Sequence, residues 1–437
     1  GFLSLIGGKV LDPALSLQEA GLKDGETLTA IPQPAKLAAT SGAFALIRSN
    51  GTVVTWGDPK HGGDSSEVQH DLHSVQQIQS TQTAFAALRT DGTVISWGDD
   101  FGGGDSFDVQ QQLRNVREIQ AADQAFTAIC TDGDAVAWGG ILSGGDCDCD
   151  CKHVCQVQAT SGAFAAKLAD GRVQVWGDAF AGGVDEYPDR LTGVEKIQST
   201  QSAFAAIRTD GTVIAWGDWE CGGNIEQVKD SLVNVQQLAS SQRAFAAIRR
   251  DGLVVTWGDP ECGGDSSRVH SLLTKVQRIQ STLSAFAAIR EDGTVVTWGD
   301  SAGGGDSALV QRHLSNIQDI QATTSAFAAL RQDGEVVTWG SREKGDDCNA
   351  RLKDVRHIQA ALNAFAAIRA DGRVVAWGDP QGGGDCRDVQ SQLQNIQQIQ
   401  ATHFAFAAVA ADGSVITWGC PDAGRACALS LAAFPQH

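Results

Sequence analysis

Apolar and polar residues alternate along this chain in short blocks that recur about every 41 residues. One block, residues 203–218, reads "AFAAIRTDGTVIAWGD" and has two apolar runs separated by Asp210-Gly211. An Asp-Gly pair between apolar runs is a strong hairpin signal, because glycine adopts positive φ without strain. The block therefore predicts two antiparallel strands. Apolar residues on both of their faces predict burial on both sides.

A third strand is predicted before each hairpin. In "VQQIQST", residues 75–81, apolar residues alternate with glutamine at a period of two. Each hairpin is followed by a glycine-rich turn and a connector such as "SSEVQHDLHSV", in which Val68, Leu72 and Val75 are spaced as one helix face. The connector is therefore predicted to be a short helix, with an irregular outer strand as the alternative.

The blocks form ten repeats, each with one tryptophan in the same place. A Phe lies twelve residues before each Trp, an Asx-Gly pair six and five before it, and a Gly six after it. Three strands and a connector cannot enclose a core alone, so neighbouring repeats must pack together. We predict an all-β, β-propeller-like array of ten repeats. The tryptophans are Trp56, Trp97, Trp138, Trp176, Trp216, Trp257, Trp298, Trp339, Trp377 and Trp418.

Two repeats depart from the others in the same way. The only 38-residue intervals follow Trp138 and Trp339, and in both repeats the Asp after "WG" is replaced, by Gly140 and Ser341. These are the third and eighth repeats, which indicates a duplicated unit of five. One ten-membered ring, two five-bladed propellers and an open spiral all fit this pattern.

The repeat resembles that of the regulator-of-chromosome-condensation family. The residues that carry the resemblance are Asp210, Gly211, Trp216, Gly217 and Gly222, and the same register recurs in all ten copies. The resemblance implies propeller blades. Family members usually have seven longer blades, an opening His where Ala203 stands, and a longer loop after the position of Gly222. These departures concern any family activity that depends on the loops.

The first residues form a separate segment. Residues 2–31 resemble the second half of a ubiquitin-like β-grasp domain, through Leu11, Asp12, Leu17, Gly21, Leu22, Gly25 and Leu28. A capping segment private to this chain is the alternative. Pro32 and Pro34 mark a linker. The predicted division is a segment 1–33, a ten-repeat array 34–427 and a tail 428–437. The missing first half and the absence of Met lead us to expect a processed or partial chain.

Charge and composition restrict the partners. The formal net charge is −19 and the 33 Lys and Arg residues are scattered along the repeats, which argues against nucleic acid as a partner. No apolar run approaches the roughly 20 residues of a membrane-spanning helix. The eleven cysteines are odd in number and irregularly spaced, so a disulfide framework is not expected. A cytoplasmic or nuclear location is favoured, with an organelle lumen as the alternative.

Three groups of residues are candidate ligand sites. Asp pairs such as Asp58 and Asp64 could bind calcium or could accept hydrogen bonds from turn amides, which we favour. The arginines before the hairpin turns could bind an anion but are expected to pair with nearby Asp. Cys147, Cys149, Cys151 and Cys155, with His153, could bind zinc, although the usual C-x-x-C spacing is missing. A disulfide or free thiols are the preferred interpretation, and no cofactor is expected.

The sites that break the repeat symmetry are the candidates for partner binding. They fall in repeats three to five, which contain the sole tyrosine, Tyr187, the eleventh tryptophan, Trp219, and its neighbour Glu220. Trp and Tyr are enriched at interface hot spots, although a loop Trp could equally pack on the array edge. We therefore expect a protein partner, or a larger complex, on the turn side of these repeats.

No arrangement of residues predicts catalysis. The order of Ser, Cys, His and Asp suggests no nucleophile, and no phosphate-binding glycine loop precedes a helix. The favoured function is a non-catalytic interaction scaffold. The family resemblance implies an alternative, guanine-nucleotide exchange on a small GTPase. The ubiquitin-like segment implies another, a substrate-binding propeller within a larger ubiquitin ligase.

Overall fold

The computed structural model describes eight parts of the chain, and everything below concerns these parts. They are residues 2–5, 28–31, 36–48, 50–147, 151–184, 190–341, 352–401 and 404–419. The first two parts contain β1 (Phe2–Leu5) and β2 (Leu28–Ile31), which pair in antiparallel register from Phe2 opposite Ile31 to Leu5 opposite Leu28. The residues between these strands, which carry most of the ubiquitin-like resemblance, lie outside the described parts.

The rest of the described chain forms ten antiparallel sheets of three strands, one for each repeat. The predicted all-β repeat array is thus confirmed. In each sheet the chain runs through the strands in order, with the second strand in the middle. The strands are β3–β5 (Lys36–Ala39, Ala43–Ile47, Val53–Gly57), β6–β8 (Val75–Ser80, Ala84–Arg89, Val94–Gly98), β9–β11 (Val116–Ala121, Ala125–Cys130, Ala135–Gly139), β12–β14 (Val154–Ala159, Ala163–Leu168, Val173–Gly177), β15–β17 (Val194–Ser199, Ala203–Arg208, Val213–Gly217), β18–β20 (Val235–Ser240, Ala244–Arg249, Val254–Gly258), β21–β23 (Val276–Ser281, Ala285–Arg290, Val295–Gly299), β24–β26 (Ile317–Ala322, Ala326–Arg331, Val336–Gly340), β27–β29 (Val355–Ala360, Ala364–Arg369, Val374–Gly378) and β30–β32 (Ile396–Ala401, Ala405–Ala410, Val415–Gly419).

The conserved aromatic pair of each repeat lies side by side within its own sheet. Phe85 on β7 is opposite Trp97 on β8, and their rings stack with centroids 5.2 Å apart. The other nine pairs stack in the same way, at 5.1 to 5.5 Å. Every one of these Phe side chains is fully buried. The fixed twelve-residue spacing between Phe and Trp therefore reflects direct cross-strand packing.

Each sheet packs its face against the next sheet. Phe85 and Trp97 of the second repeat form one cluster with Ala43 and Ala45 of the first. The small alanine side chains let the neighbouring sheet approach closely enough for the Phe ring to fill the space. First strands of successive sheets contact one another, whereas the third strand β8 contacts the turn of the preceding repeat at Pro59–His61. The sheets therefore radiate outward from their first strands.

The array also closes on itself. Ala405 of the tenth repeat packs in one cluster with Phe44, Leu46 and Trp56 of the first. As at the junctions between consecutive repeats, the Phe and Trp of one sheet pack here against an Ala of the other. The fifth repeat packs against the sixth, through Ala205 and Phe245, in that same way. The structure is thus one ten-membered ring, and two separate five-bladed propellers and an open spiral are excluded.

A ladder of backbone hydrogen bonds joins the turns between the first and second strands. The amide of Gln82 donates to the carbonyl of Asp123 in the next repeat at 2.9 Å, and the amide of Asp123 donates to Ser161 at 3.1 Å. We call this series the turn ladder. Among the described residues the ladder has eight bonds, each from one repeat to the following one, and they link Ser41, Gln82, Asp123, Ser161, Gln201, Gln242, Leu283, Thr324 and Leu362.

The connectors do not form the predicted helix. Residues 66–71 wind as turns, while the Gln69 side chain accepts from Ser65 Oγ and donates to the carbonyl of Val53. The amide of Val53 donates to the carbonyl of Leu72 at 3.2 Å. The connector thus lies along the edge of β5 and satisfies that edge, which a helix could not do. Leu72 is still buried, as its spacing predicted.

Helical structure in the described parts is limited to single turns, and no helix is long and apolar enough to cross a membrane. Turns of 3₁₀ type follow the third strands at Pro59–His61, Asp100–Gly102, Ile141–Ser143, Ala179–Ala181, Pro260–Cys262 and Pro380–Gly382. Trp219–Gly223 and Ser301–Gly305 take this place in the fifth and seventh repeats, where Gly222 and Gly304 have the same left-handed φ as Gly182 of the fourth. Further 3₁₀ turns lie in connectors at Phe107–Val109, Lys229–Ser231, His270–Leu272, Gln311–His313 and Arg387–Val389.

Candidate protein-binding surface

The turns that follow the third strands are the candidate site, because they share one backbone and carry different side chains. In the fourth repeat, the Asp178 carboxylate accepts a hydrogen bond from the Phe180 amide at 2.9 Å. Ala181 is buried and Gly182 ends the turn at a φ of +90°. A Cβ on Gly182 would lie 2.8 Å from the ring of Phe204 in the next repeat. The turn is therefore pressed against the following sheet and holds Phe180 outward.

Four consecutive repeats present large apolar side chains from these turns. Phe180 is 84% exposed, and Trp219 in the next repeat is 71% exposed. The second and third repeats contribute Phe101, Ile141 and Leu142, which are exposed to a similar degree. Exposed apolar residues are ordinary when scattered, whereas a contiguous group marks an interaction site. We call Phe101, Ile141, Leu142, Phe180 and Trp219 the apolar arc.

Outside the arc, the corresponding turns carry charged, amide or small side chains in place of large apolar ones. The residue in the place of Phe180 is Lys60 in the first repeat, Glu261 in the sixth, Ala302 in the seventh and Gln381 in the ninth. Neighbouring turns of the arc touch, because a Cβ on Gly140 would lie 3.2 Å from the carbonyl oxygen of Phe101. The apolar turns are therefore contiguous rather than scattered around the ring.

The charged residues on the turns of the arc are all acidic. The described turns that follow the third strands of repeats two to five contain seven carboxylates and no Lys or Arg. Some of them cap turns, as Asp178 and Asp218 do. Asp100 and Asp146 are exposed to solvent on the same turns as the apolar side chains. The seven residues are Asp99, Asp100, Asp105, Asp146, Asp178, Asp218 and Glu220.

Trp219 also stands at the mouth of a cleft between the fifth and sixth repeats. The cleft has a volume of about 1060 Å³, and β20 (Val254–Gly258) forms one of its walls. Beside it, Arg243 pairs with Glu220 at 2.7 Å and with Asp259 at 3.1 Å. This arginine closes the acidic stretch on the side of the sixth repeat. Of the two placements that the sequence allowed for Trp219, the structure shows the exposed one.

The other residues expected to bind a partner are placed only in part. Tyr187 lies outside the described residues. Phe101, Ile141, Leu142 and Phe180 were missed, because each is unremarkable within its own repeat. Aligning the residues after "WG" across the repeats would have found them, since only repeats two to five are strongly apolar at these positions.

The cysteine cluster is only partly assembled. The sulfurs of Cys147 and Cys151 lie 3.5 Å apart. Cys155 is exposed and its thiol faces the carbonyl of His153 at 3.9 Å. Cys149 lies outside the described residues. Within the described residues, no three His, Cys, Asp or Glu side chains are placed to hold a metal ion.

The paired aspartates serve their own turns. Asp58 accepts from the Lys60 amide at 2.9 Å, and Asp64 accepts from the Ser66 amide at 2.9 Å. These backbone hydrogen bonds lower the pKa of both carboxyls. The structure therefore favours turn stabilisation over calcium binding at these pairs.

The arginines that precede the hairpin turns pair locally, as expected. Arg249 contacts Asp251 at 2.8 Å, and Arg331 contacts Asp333 at 3.1 Å. Both aspartates belong to the hairpin turn that directly follows the arginine. Arg89 and Arg290 pair with the Asp of the following turn in the same way.

Comparisons with known proteins give similarities of fold only. No protein-family model matches the sequence, and no curated protein matches it. Yeast RCC1 (Prp20), in its complex with Kap60, aligns at 16% identity over 90% of this chain and 80% of that chain, with a TM-score of 0.37. The computationally designed Ika8 protein aligns at 14% identity over 79% and 96%, with a TM-score of 0.34. The CRINKLY WD40 ectodomain of the Arabidopsis thaliana receptor kinase ACR4 aligns at 14% over 59% and 93%, also at 0.34.

Proposed function

We propose that this protein is a non-catalytic scaffold that binds a protein partner through the turns following its third strands. The observation that carries the proposal is the apolar arc, in which four consecutive repeats expose large side chains on otherwise polar turns. Large aromatic side chains held in fixed positions lose little conformational entropy on binding. The net charge of −19 supports a protein rather than a nucleic acid as the partner.

The division of labour within each repeat supports the same function. The residues that recur in all ten copies form the sheet, such as the stacked pair Phe204 and Trp216. Variation is concentrated in the turns and connectors, where binding residues are usually found. In this proposal residues 34–427 are the binding array. The ubiquitin-like character of residues 1–33 remains a prediction.

Site-specific photocrosslinking tests the proposal in an extract of the native source. A benzophenone amino acid replaces Phe180 in one variant and Trp219 in a second, and it replaces Ala302 on the matching turn of the seventh repeat in a control. We expect the first two variants to capture the same protein and the control to capture none of it. Equal capture at all three positions would contradict the proposal, as would capture at none.

A further inference from the structure

We infer that the apolar arc binds a cationic polypeptide segment that carries several large apolar side chains. This inference rests on the proposed function and adds the chemistry of the partner. The partner must supply apolar groups because Phe101, Leu142 and Phe180 are each more than 80% exposed. Burying them in a complex removes apolar surface from water, which is the main driving force for association.

The partner must be cationic because the turns that carry the apolar arc are acidic. Seven carboxylates and no Lys or Arg lie on the described turns that follow the third strands of repeats two to five, and of these Glu220 is paired with Arg243 of the sixth repeat. An approaching acidic segment would be repelled and would have to desolvate its charges without partners. A basic segment finds the exposed carboxylates of Asp100 and Asp146 on the same turns as Phe101 and Leu142, so its charges and its apolar groups can be satisfied together.

The same charges argue against a lipid surface as the occupant. Exposed Phe, Leu and Trp on loops are common in proteins that insert into a membrane interface, and such proteins normally add Lys or Arg to attract anionic lipid. Here the positions beside the apolar side chains are acidic, as at Asp100 and Glu220. We therefore commit to a polypeptide and treat vesicle binding as a contrary outcome.

The fluorescence of Trp219 can report binding to the arc, because Trp219 is the exposed tryptophan of this chain. Ten of the eleven tryptophans are at most 9% exposed, and Trp219 is 71% exposed. A neutral quencher such as acrylamide will therefore act mainly on Trp219, and a ligand bound on the arc will protect it. Trp219→Phe removes this signal and shows whether the protection is local.

Four probes without tryptophan test separately whether binding needs positive charge and whether it needs apolar side chains. The first is a synthetic peptide alternating Lys with Leu and Phe. The second replaces its Lys by Glu, and the third replaces its Leu and Phe by Ser. The fourth probe is a vesicle of phosphatidylcholine and phosphatidylserine. We expect only the first to protect Trp219 at low concentration, and we expect its affinity to fall as salt is raised.

The seventh repeat supplies matched variants that keep the turn intact. Its residue Ala302 occupies the place of Leu142 and Phe180 on the same kind of turn. Leu142→Ala with Phe180→Ala therefore installs side chains that this backbone already accepts, and the melting temperature should hold. We expect the double variant to bind the first peptide about tenfold more weakly. Gln381→Ala in the ninth repeat should bind it unchanged.

A second double variant tests the contribution of the carboxylates to binding. Asp100→Asn with Asp146→Asn should weaken binding of the first peptide and reduce its salt dependence, because both carboxylates are exposed on the turns of the arc. Equal binding of the Glu peptide or of the Ser peptide would overturn the inference, as would protection by the vesicles alone or unchanged binding by the Leu142 and Phe180 double variant. Preference for the Glu peptide would leave the proposed scaffold function standing. Uniform photocrosslinking around the ring would remove that function as well.

Discussion

The indole Nε1 of Trp97 donates a 3.0 Å hydrogen bond to the carbonyl of Gly62, which belongs to the preceding repeat. The same bond recurs at several junctions, for example from Trp298 to Gly263 at 3.0 Å. The tryptophan therefore has two functions. Its ring stacks on the Phe of its own sheet, and its N–H ties the previous turn to that sheet.

A matched pair of substitutions separates these two functions. Trp97→Phe removes the ring volume and the donor and leaves the buried carbonyl of Gly62 unpaired. Trp216→Phe removes the same volume, but Nε1 of Trp216 has no hydrogen-bond partner among the described residues. We expect Trp97→Phe to be the more destabilising by about 1–2 kcal/mol in chemical denaturation. Equal losses would show that the bond contributes nothing.

The hairpin glycines are required for two reasons, and these can also be separated. Gly252 has a φ of +77°, and a Cβ there would lie 2.7 Å from Cα of Lys275 in the next repeat. Gly413 has a φ of +84°, and none of the described residues lies within 4 Å of its Cβ position. We expect Gly252→Ala to lower the melting temperature more than Gly413→Ala, because only the first adds a clash to the strained φ.

A β-branched residue at such a turn should be worse still. Gly211 has a φ of +80° and a Cβ there would lie 3.1 Å from Cα of Asn234. Gly211→Val is therefore expected to destabilise the fold. An unchanged melting temperature would contradict the turn assignment.

The fold should lose stability in acid. Side-chain hydrogen bonding from Thr212 lowers the pKa of Asp210, and Arg387 lowers the pKa of Asp385 to about 2. A carboxyl whose pKa is lower in the folded state stabilises the fold above its ordinary pKa of 3.8 and loses this contribution as the pH falls. We expect the melting temperature to fall between about pH 4 and pH 2. In Asp385→Asn this fall should be smaller, and an identical pH profile would exclude Asp385 as a contributor.

Thiol reactivity should follow burial. Cys155 is exposed, whereas Cys130 is buried and its pKa is raised to about 11 by desolvation. Iodoacetamide labelling of the native protein followed by peptide mass spectrometry should modify Cys155 well before Cys130. Comparable rates at the two sites would indicate that the third sheet opens readily.

The cysteine cluster is expected to hold little metal in the isolated chain. Cys155 faces away towards the His153 carbonyl, so it does not complete a set with Cys147 and Cys151. Elemental analysis should find well under one zinc per chain. About one zinc per chain, lost in Cys149→Ser with Cys151→Ser, would reverse this expectation.

The local structure could be predicted from the sequence because each signal acts within one repeat. Asp210-Gly211 specified a hairpin turn, and the structure gives Gly211 the positive φ that the turn needs. The connector was predicted wrongly, because its spacing at Val68 and Leu72 fits a helix equally well. What decides against the helix is the edge of a strand that the Gln69 side chain can reach.

Ring closure and the binding surface depend on contacts between distant repeats. Nothing local to Phe44 or Ala405 shows that they meet, since each would be satisfied by any neighbouring sheet. Trp219 was identifiable because it breaks the repeat, but the arc around it emerges only when the turns of four repeats are placed side by side. The proposed duplication of a five-repeat unit stays a prediction, to be tested by superposing repeats one to five on six to ten.

The turn ladder fixes the distance between neighbouring repeats at one end of the array. Because each described rung joins Gln82 or a counterpart to the next repeat at 2.8 to 3.1 Å, the rungs fix the spacing of repeats one to nine at this end. Adding or deleting one repeat would change the angle at every junction, and stretching the ring would load all its rungs together. A change in the number of repeats would therefore have to be absorbed by the angles between the sheets, because the hydrogen bonds of the ladder cannot lengthen.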